Sequence, residues 1–282
     1  MLLMFPLPFY STMSIPLEDL FGDVLGKAQR GLSLSNEALA DKAGISAAAV
    51  EATKNGATDT PILLKIASVL GLHGPSLAIM SDDGWYPESV SLAGLAQFNT
   101  TYHDMTVNAY LVWDPATKEA AAFDTGADAK PIVDKIQELG LTLRYLFLTH
   151  THGDHVADIN TLSAPAIFVS EREPHAGAKT FAPGTEWKLG SLTIESRSTW
   201  GHSKGGTTFV VTGLAHPIAI VGDALFASSM GGGMVSYTDA LVTNRKEIFT
   251  LPDDTVVCPG HGPLTTVGEE KAHNPFYPEY KR

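Results

Sequence analysis

The spacing of apolar residues changes near residue 82 and divides the chain into two regions. Before that point, apolar side chains recur three and four positions apart, the spacing of one helix face. The first such face is formed by Leu17, Leu20, Phe21, Val24 and Leu25. From "SDDGWYPES" onward, short apolar runs alternate with Gly and Pro, which is typical of strands joined by turns. We predict a tail over residues 1–16, a helical domain over 17–81 and a second domain over 82–282.

Helix-boundary signals are frequent in the first region. Ser35 and Ser46 stand where N-caps are expected, and Gly44 between them is placed to end a helix. In "DTPILLKIASVLGL", Thr60 is predicted as the N-cap and Pro61 as the first helical residue. The inward-facing residues of this helix are predicted to be Leu63, Leu64, Ala67 and Leu70. Short helices joined by tight turns indicate a helix-turn-helix bundle.

The segment "LSNEALADKAGISAAAVEATKNGATDTPILLKIASVLGL" resembles the helix-turn-helix domain of phage repressors of the Cro and cI type. In that family the second helix of the motif reads bases in the major groove. Here that helix offers Ala47, Ala48, Ala49 and Glu51 at the positions where polar readers are expected. The region also carries more acidic than basic residues, so we expect no nucleic-acid binding. A dimerisation or docking module, with a homodimer formed through it, is the favoured interpretation.

The second region alternates strand and helix patterns. The segments "VNAYLVW", "EAAAFDTG", "LRYLFLT", "APAIFVS", "TTFVVTG", "PIAIVGD" and "DTVVCPG" are predicted strands, and "EWKLGSLTIES" is a predicted hairpin. "DAKPIVDKIQELG" is an amphipathic helix that ends at Gly140. This order of elements predicts an α+β fold.

Composition limits the function classes. The formal net charge of the 282-residue chain is −12 at pH 7, which disfavours binding to nucleic-acid phosphates or anionic membranes. The single cysteine, Cys258, allows no intramolecular disulfide and is expected to be a small buried residue in a cytoplasmic protein. No apolar run is long enough to span a membrane. The apolar opening lacks the basic residues of a signal peptide, and both Met1 and Met13 are candidate starts.

Histidine and aspartate residues are concentrated where predicted strands end. "LFLTHTHGDHVADI" follows one strand, and "WGHSKGG", "VGDALF" and "CPGHGP" surround three later ones. Imidazole and carboxylate are the ligands that bind Zn²⁺ and similar ions when no thiolate is offered. The candidate ligands are His150, His152, Asp154, His155, His202, Asp223 and His261. Such a set exceeds the needs of one tetrahedral ion and suits two ions that share a bridging ligand.

This set of residues resembles the ligands of the metallo-β-lactamase superfamily over roughly residues 95 to 275. The resemblance implies an αββα sandwich preceded by the small all-α bundle. It also implies that His150, His152 and His202 hold a first metal. Asp154, His155 and His261 would hold a second, with Asp223 as the bridge. Two divalent ions are expected, with Zn first and Fe or Mn as alternatives.

Within the superfamily, "GDALFASS" and "PGHGPLTTVGEEKAHNPF" resemble segments of glyoxalase II-like hydrolases. The resemblance implies a small-molecule thioester or related ester substrate, attacked by a hydroxide that bridges the two metals. Asp223 and Asp154 would be catalytic, and Asp154 would also orient the hydroxide. Because 21 residues follow His261 in this sequence, we expect no counterpart of the C-terminal glutathione-binding domain of the long enzymes. The substrate-contact candidates are Lys204, Met230, Gly232 and Met234.

Three alternatives stay open. One is an iron persulfide dioxygenase, a related family with a single iron at the positions of His150, His202 and Asp223. Retention of His261 and the lack of a "GRTDF"-like segment argue against it. The others are lactone hydrolysis by the same metal core and a DNA-binding regulator whose metal domain senses a small molecule.

Overall fold

The computed structural model describes residues 14–281. Most of the predicted tail, and the choice between Met1 and Met13, lie outside the described residues. Within the described part, none of the helices has the length and apolar character needed to cross a membrane.

The first region forms short helices, as its periodicity predicts. They are α1 (Phe21–Gly31), α2 (Asn36–Ala43), α3 (Ala47–Lys54), α4 (Thr60–Leu70) and α5 (Gly74–Ser81). The Oγ atoms of Ser35 and Ser46 accept hydrogen bonds from Ala38 N and Ala49 N at 3.2 and 3.1 Å, so both predicted N-caps are confirmed. Gly44 ends α2 in the left-handed region with a φ of 64°, also as predicted.

Three expectations about individual residues in these helices are wrong. The N-cap of α4 is Asp59, not Thr60, because the Asp59 carboxylate accepts a hydrogen bond from Ile62 N at 3.1 Å. Leu64 is 41% exposed, because the inward face passes through Ile66 instead. Leu20 is 69% exposed because it precedes the first turn of α1 and does not share its buried face.

The second region contains most of its strands where the apolar runs predict them. The strands are β1 (Leu95–Tyr102), β2 (Met105–Trp113), β3 (Glu119–Phe123), β4 (Thr142–Phe147), β5 (Ile167–Ser170), β6 (Lys179–Phe181), β7 (Glu186–Leu189), β8 (Leu192–Ser198), β9 (Thr207–Thr212), β10 (Ile218–Gly222), β11 (Val256–Pro259) and β12 (Thr265–Thr266). The helices are α6 (Lys130–Leu139), α7 (Gly153–Val156), α8 (Tyr237–Glu247) and α9 (Val267–His273). The long strand β1 and the short strands β6 and β12 were not predicted.

In residues 14–281 the strands form two sheets of six strands each. β1 to β6 follow chain order in one sheet, and β12 back to β7 form the other. The aromatic residues Phe123, Phe147 and Phe209 pack between the sheets, and Cys258 is buried in the same layer, as expected. α6 covers the outer face of the first sheet. The result is the predicted αββα sandwich.

The helical region is not separate from the sandwich. One hydrophobic cluster contains Val24 and Leu25 of α1 together with Val221, Leu225 and Phe276 from the second region. The helices therefore cover the outer face of the second sheet beside α8 and α9. The helix-turn-helix assignment and the domain boundaries at residues 17 and 82 stay predictions.

Candidate metal centre

All the predicted ligand residues lie at or just beyond strand ends, and the fold brings them together in two groups. The first group is His150, His152, His202 and Asp223, whose potential ligand atoms lie within 4.8 Å of one another. His152 Nδ1 is 3.1 Å from His150 Nε2 and 3.0 Å from His202 Nε2. Asp223 Oδ2 is 3.2 Å from His202 Nε2. These atoms surround one point, as the ligands of a single ion would.

The second group is Asp154, His155 and His261, again within 4.8 Å of one another. Asp154 Oδ2 is 3.5 Å from His155 Nε2 and 3.3 Å from His261 Nε2. Asp223 also reaches this group, with Oδ1 3.3 Å from His155 Nε2 and Oδ2 3.5 Å from His261 Nε2. Asp223 therefore lies next to imidazole nitrogens of both groups.

Hydrogen bonds on the outer ring nitrogens orient the imidazoles inward. His202 Nδ1 is 2.9 Å from the carbonyl oxygen of Gly232, and His261 Nδ1 is 2.6 Å from that of Thr106. Because a carbonyl only accepts, both Nδ1 atoms carry the proton and both Nε2 atoms are free to bind a cation. His150 Nδ1 is likewise bonded to a hydroxyl oxygen, Thr149 Oγ1, at 3.0 Å.

Asp124 supports His155, and sequence reasoning missed it. Its Oδ2 accepts a hydrogen bond from His155 Nδ1 at 2.8 Å, and the carboxylate also accepts the backbone and hydroxyl hydrogens of Thr149. Asp124 is 2% exposed and has a φ of 57°. The available signal was its position directly after the apolar run "EAAAF", which matches the position of Asp223 after "IAIVG".

Glu173 accepts hydrogen bonds from both loops that carry histidines of the first group. The sequence analysis did not identify this residue. Its Oε1 accepts from the backbone N and the Oγ1 of Thr151 at 2.9 and 2.6 Å. Its Oε2 accepts from Gly205 N at 2.7 Å. Thr151 lies between two ligand histidines and Gly205 follows His202 closely. No local pattern in the sequence marks this carboxylate, because its partners are distant along the chain.

Buried atoms without partners show that the residues fit a cation. Within residues 14–281, Asp223 Oδ1 and His155 Nε2 are buried without a hydrogen-bond partner. A lone pair that is both buried and unpaired is costly unless something binds it. Burial alone would raise the pKa of Asp223, but His261 and His155 hold that pKa well below its usual range. The carboxylate is therefore ionised and available as a ligand.

Glycine is required beside the ligands for two different reasons. Gly201, Gly222 and Gly260 each stand next to a candidate ligand in the sequence. Gly201 and Gly222 have φ values of 137° and 51°, which residues with a side chain rarely adopt. The reason at Gly260 is space, because an added Cβ would lie 2.1 Å from Asp223 Oδ1.

The four substrate-contact candidates lie in different environments. Lys204 is exposed, and Met234 is 77% exposed. Gly232 supports His202 through its carbonyl. Met230 is 1% exposed and packs in the core that the helices share with the second sheet. Its side chain therefore faces the protein interior.

The similarity to known proteins covers the part of the chain that contains the candidate ligands. Residues 104–261 match the family model described as the metallo-beta-lactamase superfamily. A probable metallo-hydrolase of Streptococcus pyogenes is 30% identical over 199 residues, covering 60% of this chain and 84% of the relative. Hydroxyacylglutathione hydrolase GloC of Haemophilus influenzae is 29% identical over 197 residues, covering 60% and 92%. Human mitochondrial persulfide dioxygenase ETHE1 is 31% identical over 180 residues, covering 59% and 69%.

Solved structures are similar over the sandwich. The BLEG-1 B3 metallo-beta-lactamase has a TM-score of 0.55 and 28% identity, covering 64% of this chain and 98% of that one. TTHA1623 in a di-iron-bound form has a TM-score of 0.52 and 25% identity, covering 64% and 99%. The fold, the two ligand groups and the family match agree. The chain therefore belongs to the metallo-beta-lactamase superfamily of metal-dependent hydrolases.

Proposed function

We propose that the protein hydrolyses a small thioester or a related ester at a centre of two divalent cations, with zinc as the first choice. The observation that carries the proposal is the position of Asp223, whose two carboxylate oxygens lie 3.2 to 3.5 Å from imidazole nitrogens of both groups. A carboxylate shared in this way supports two cations held close together.

The candidate ligands have different proposed roles. His150, His152 and His202 would hold one cation, Asp154, His155 and His261 would hold the other, and Asp223 would be shared by both. When bound, such cations lower the pKa of a bound water to about 7 and polarise a substrate carbonyl. Asp154 Oδ2 lies 3.5 Å from His155 Nε2 and 3.3 Å from His261 Nε2, and this carboxylate would also orient a water held at the centre.

The thioester class is supported by the relative GloC, whose name states that it hydrolyses hydroxyacylglutathione. The second candidate is persulfide oxidation at a single iron, supported by the human persulfide dioxygenase ETHE1. The convergence of Asp154, His155 and His261 favours the hydrolase, because one iron at the first group would leave these ligands without a cation.

Metal stoichiometry and turnover separate the two candidates. The protein, purified without chelator and without a histidine tag, is analysed by mass spectrometry and assayed on a panel of thioesters and lactones. We expect about two ions per chain and release of free thiol. His261→Ala should lose the second ion and most of the turnover. One iron per chain, kept in His261→Ala and accompanied by oxygen uptake with glutathione persulfide, would refute the hydrolase.

A further inference from the structure

The N-terminal helical region contacts the backbone that carries the metal ligands. Asp19 accepts a hydrogen bond from Ser229 Oγ at 2.5 Å and forms an ion pair with Lys27. Lys27 Nζ also donates to the carbonyl oxygen of Met230 at 2.9 Å. The side chains of Lys27 and Asp19 are only 13% and 7% exposed. Both residues precede the part of the chain that matches the superfamily, residues 104–261.

Ser229 and Met230, which Asp19 and Lys27 contact, lie in the chain between Asp223 and Gly232, the residue whose carbonyl orients His202. Gly231 packs so closely here that an added Cβ would lie 1.9 Å from the carbonyl oxygen of Asp223 and 3.0 Å from His202 Nδ1. The next residue, Gly232, accepts the hydrogen bond that orients His202. A displacement of the Met230 carbonyl would therefore displace the bridging carboxylate and one histidine together.

The same N-terminal residues reach the second ligand group. Lys27 Nζ lies 5.0 Å from the centre of the Phe226 ring, which packs edge-on against His261 at 5.6 Å between ring centres. Glu18 Oε2 lies 4.0 Å from His261 Nδ1 and adds negative charge on the outer side of that imidazole. Residues 18–27 therefore contact the surroundings of both ligand groups.

A buried ion pair is weak evidence for added stability, because the cost of desolvation can cancel the attraction. Here the contacts favour an effect on geometry, because Asp19 and Lys27 bind Ser229 and the Met230 carbonyl as well as each other. We propose that Asp19 and Lys27 are positioning residues of the metal centre, and that the helical region is thereby a working part of the enzyme. The inference rests on the proposed metal site but not on the identity of the substrate.

The test uses the full-length protein loaded with Co²⁺ as the only metal. Asp19→Asn/Lys27→Met removes both charges at once, so that neither is left buried alone. We measure the visible absorption of the bound Co²⁺ and the rate of its loss to a chelator, well below the melting temperature. We expect an altered spectrum and about tenfold faster loss, as is typical when groups that support ligands are removed. Lys42→Met, which changes an exposed lysine of α2, is the matched control and should match the parent.

Two further variants separate positioning from general stability. Lys27→Arg keeps a donor for the Met230 carbonyl and should restore the parent spectrum. Ser229→Ala removes one contact of Asp19 and should shift the same readouts less, which keeps the test usable if the paired variant does not fold. A lower melting temperature with an unchanged spectrum and rate would overturn the proposal. Neither readout involves a substrate, so a failed thioester assay would count against the proposed function alone.

Discussion

The two ligand groups differ in charge and in what supports them. The first group contributes three imidazoles, of which His150 and His202 donate hydrogen bonds to a threonine hydroxyl and a backbone carbonyl. The second contributes a carboxylate of its own, Asp154, and its His155 is backed by the carboxylate of Asp124. Ionised partners raise the basicity of an imidazole ligand. We infer that the second group holds its cation in the more negative environment, while both depend on Asp223.

Asp223→Ala should have the largest effect, because it removes the carboxylate whose oxygens lie 3.2 to 3.5 Å from imidazole nitrogens of both groups. We expect loss of both ions and of all measurable turnover, with metal content measured by mass spectrometry after gel filtration. Asp134→Ala, at an exposed carboxylate on α6, is the control and should keep both ions. A variant that retains one full equivalent would show that the groups bind independently and that the bridge is dispensable.

Asp124→Asn should weaken metal binding at the second group more than at the first. The amide can keep the hydrogen bond from Thr149 N but presents an NH₂ to His155 Nδ1, which favours the tautomer with its proton on Nε2. We expect affinity at the second group to fall by about 10- to 100-fold, with a smaller change at the first. Competition with a chromophoric chelator would resolve the two steps. Equal losses in both steps would contradict the difference drawn between the groups.

Glu173→Gln is the converse test, directed at the first group. Its single oxygen can accept from the Thr151 loop or from Gly205 N, but not from both. We expect several-fold faster release of the first ion, measured in the same chelator assay, and little change in the second. Glu171→Gln, at an exposed neighbour, controls for the loss of charge. Release of the second ion instead would place the effect of Glu173 elsewhere.

Lys204→Ala should have the smallest effect, and none on metal content. The side chain is exposed in the loop that carries His202. If it contacts an anionic substrate, KM should rise a few-fold for carboxylate-bearing thioesters, with kcat unchanged. Equal KM values for charged and neutral thioesters in the variant and the parent would remove Lys204 from the substrate site.

The helical region was harder to interpret from its sequence than the sandwich. The exposed positions of α3 are Ala48, Glu51 and Ala52, and none of them is basic, although the resemblance to repressors would need basic side chains there. What the periodicity could not show is that the opposite side of this region packs on the second sheet in a shared core. An apolar helix face predicts that the face will be buried, but it does not predict which element will pack against it.

Periodicity in the sequence predicted the helices and most strands, and the resemblance to the metallo-β-lactamase superfamily implied the αββα sandwich and the two sets of ligands. The candidate ligands could be named because their chemistry and their positions after apolar runs are local properties, visible in a few consecutive residues, and their role as ligands stays a prediction. Only the tertiary structure revealed Asp124, Glu173, Asp19 and Lys27, which act on partners far away along the chain. Their roles depend on distances of about 3 Å that are set by the packing of whole layers, and no local pattern encodes such a distance.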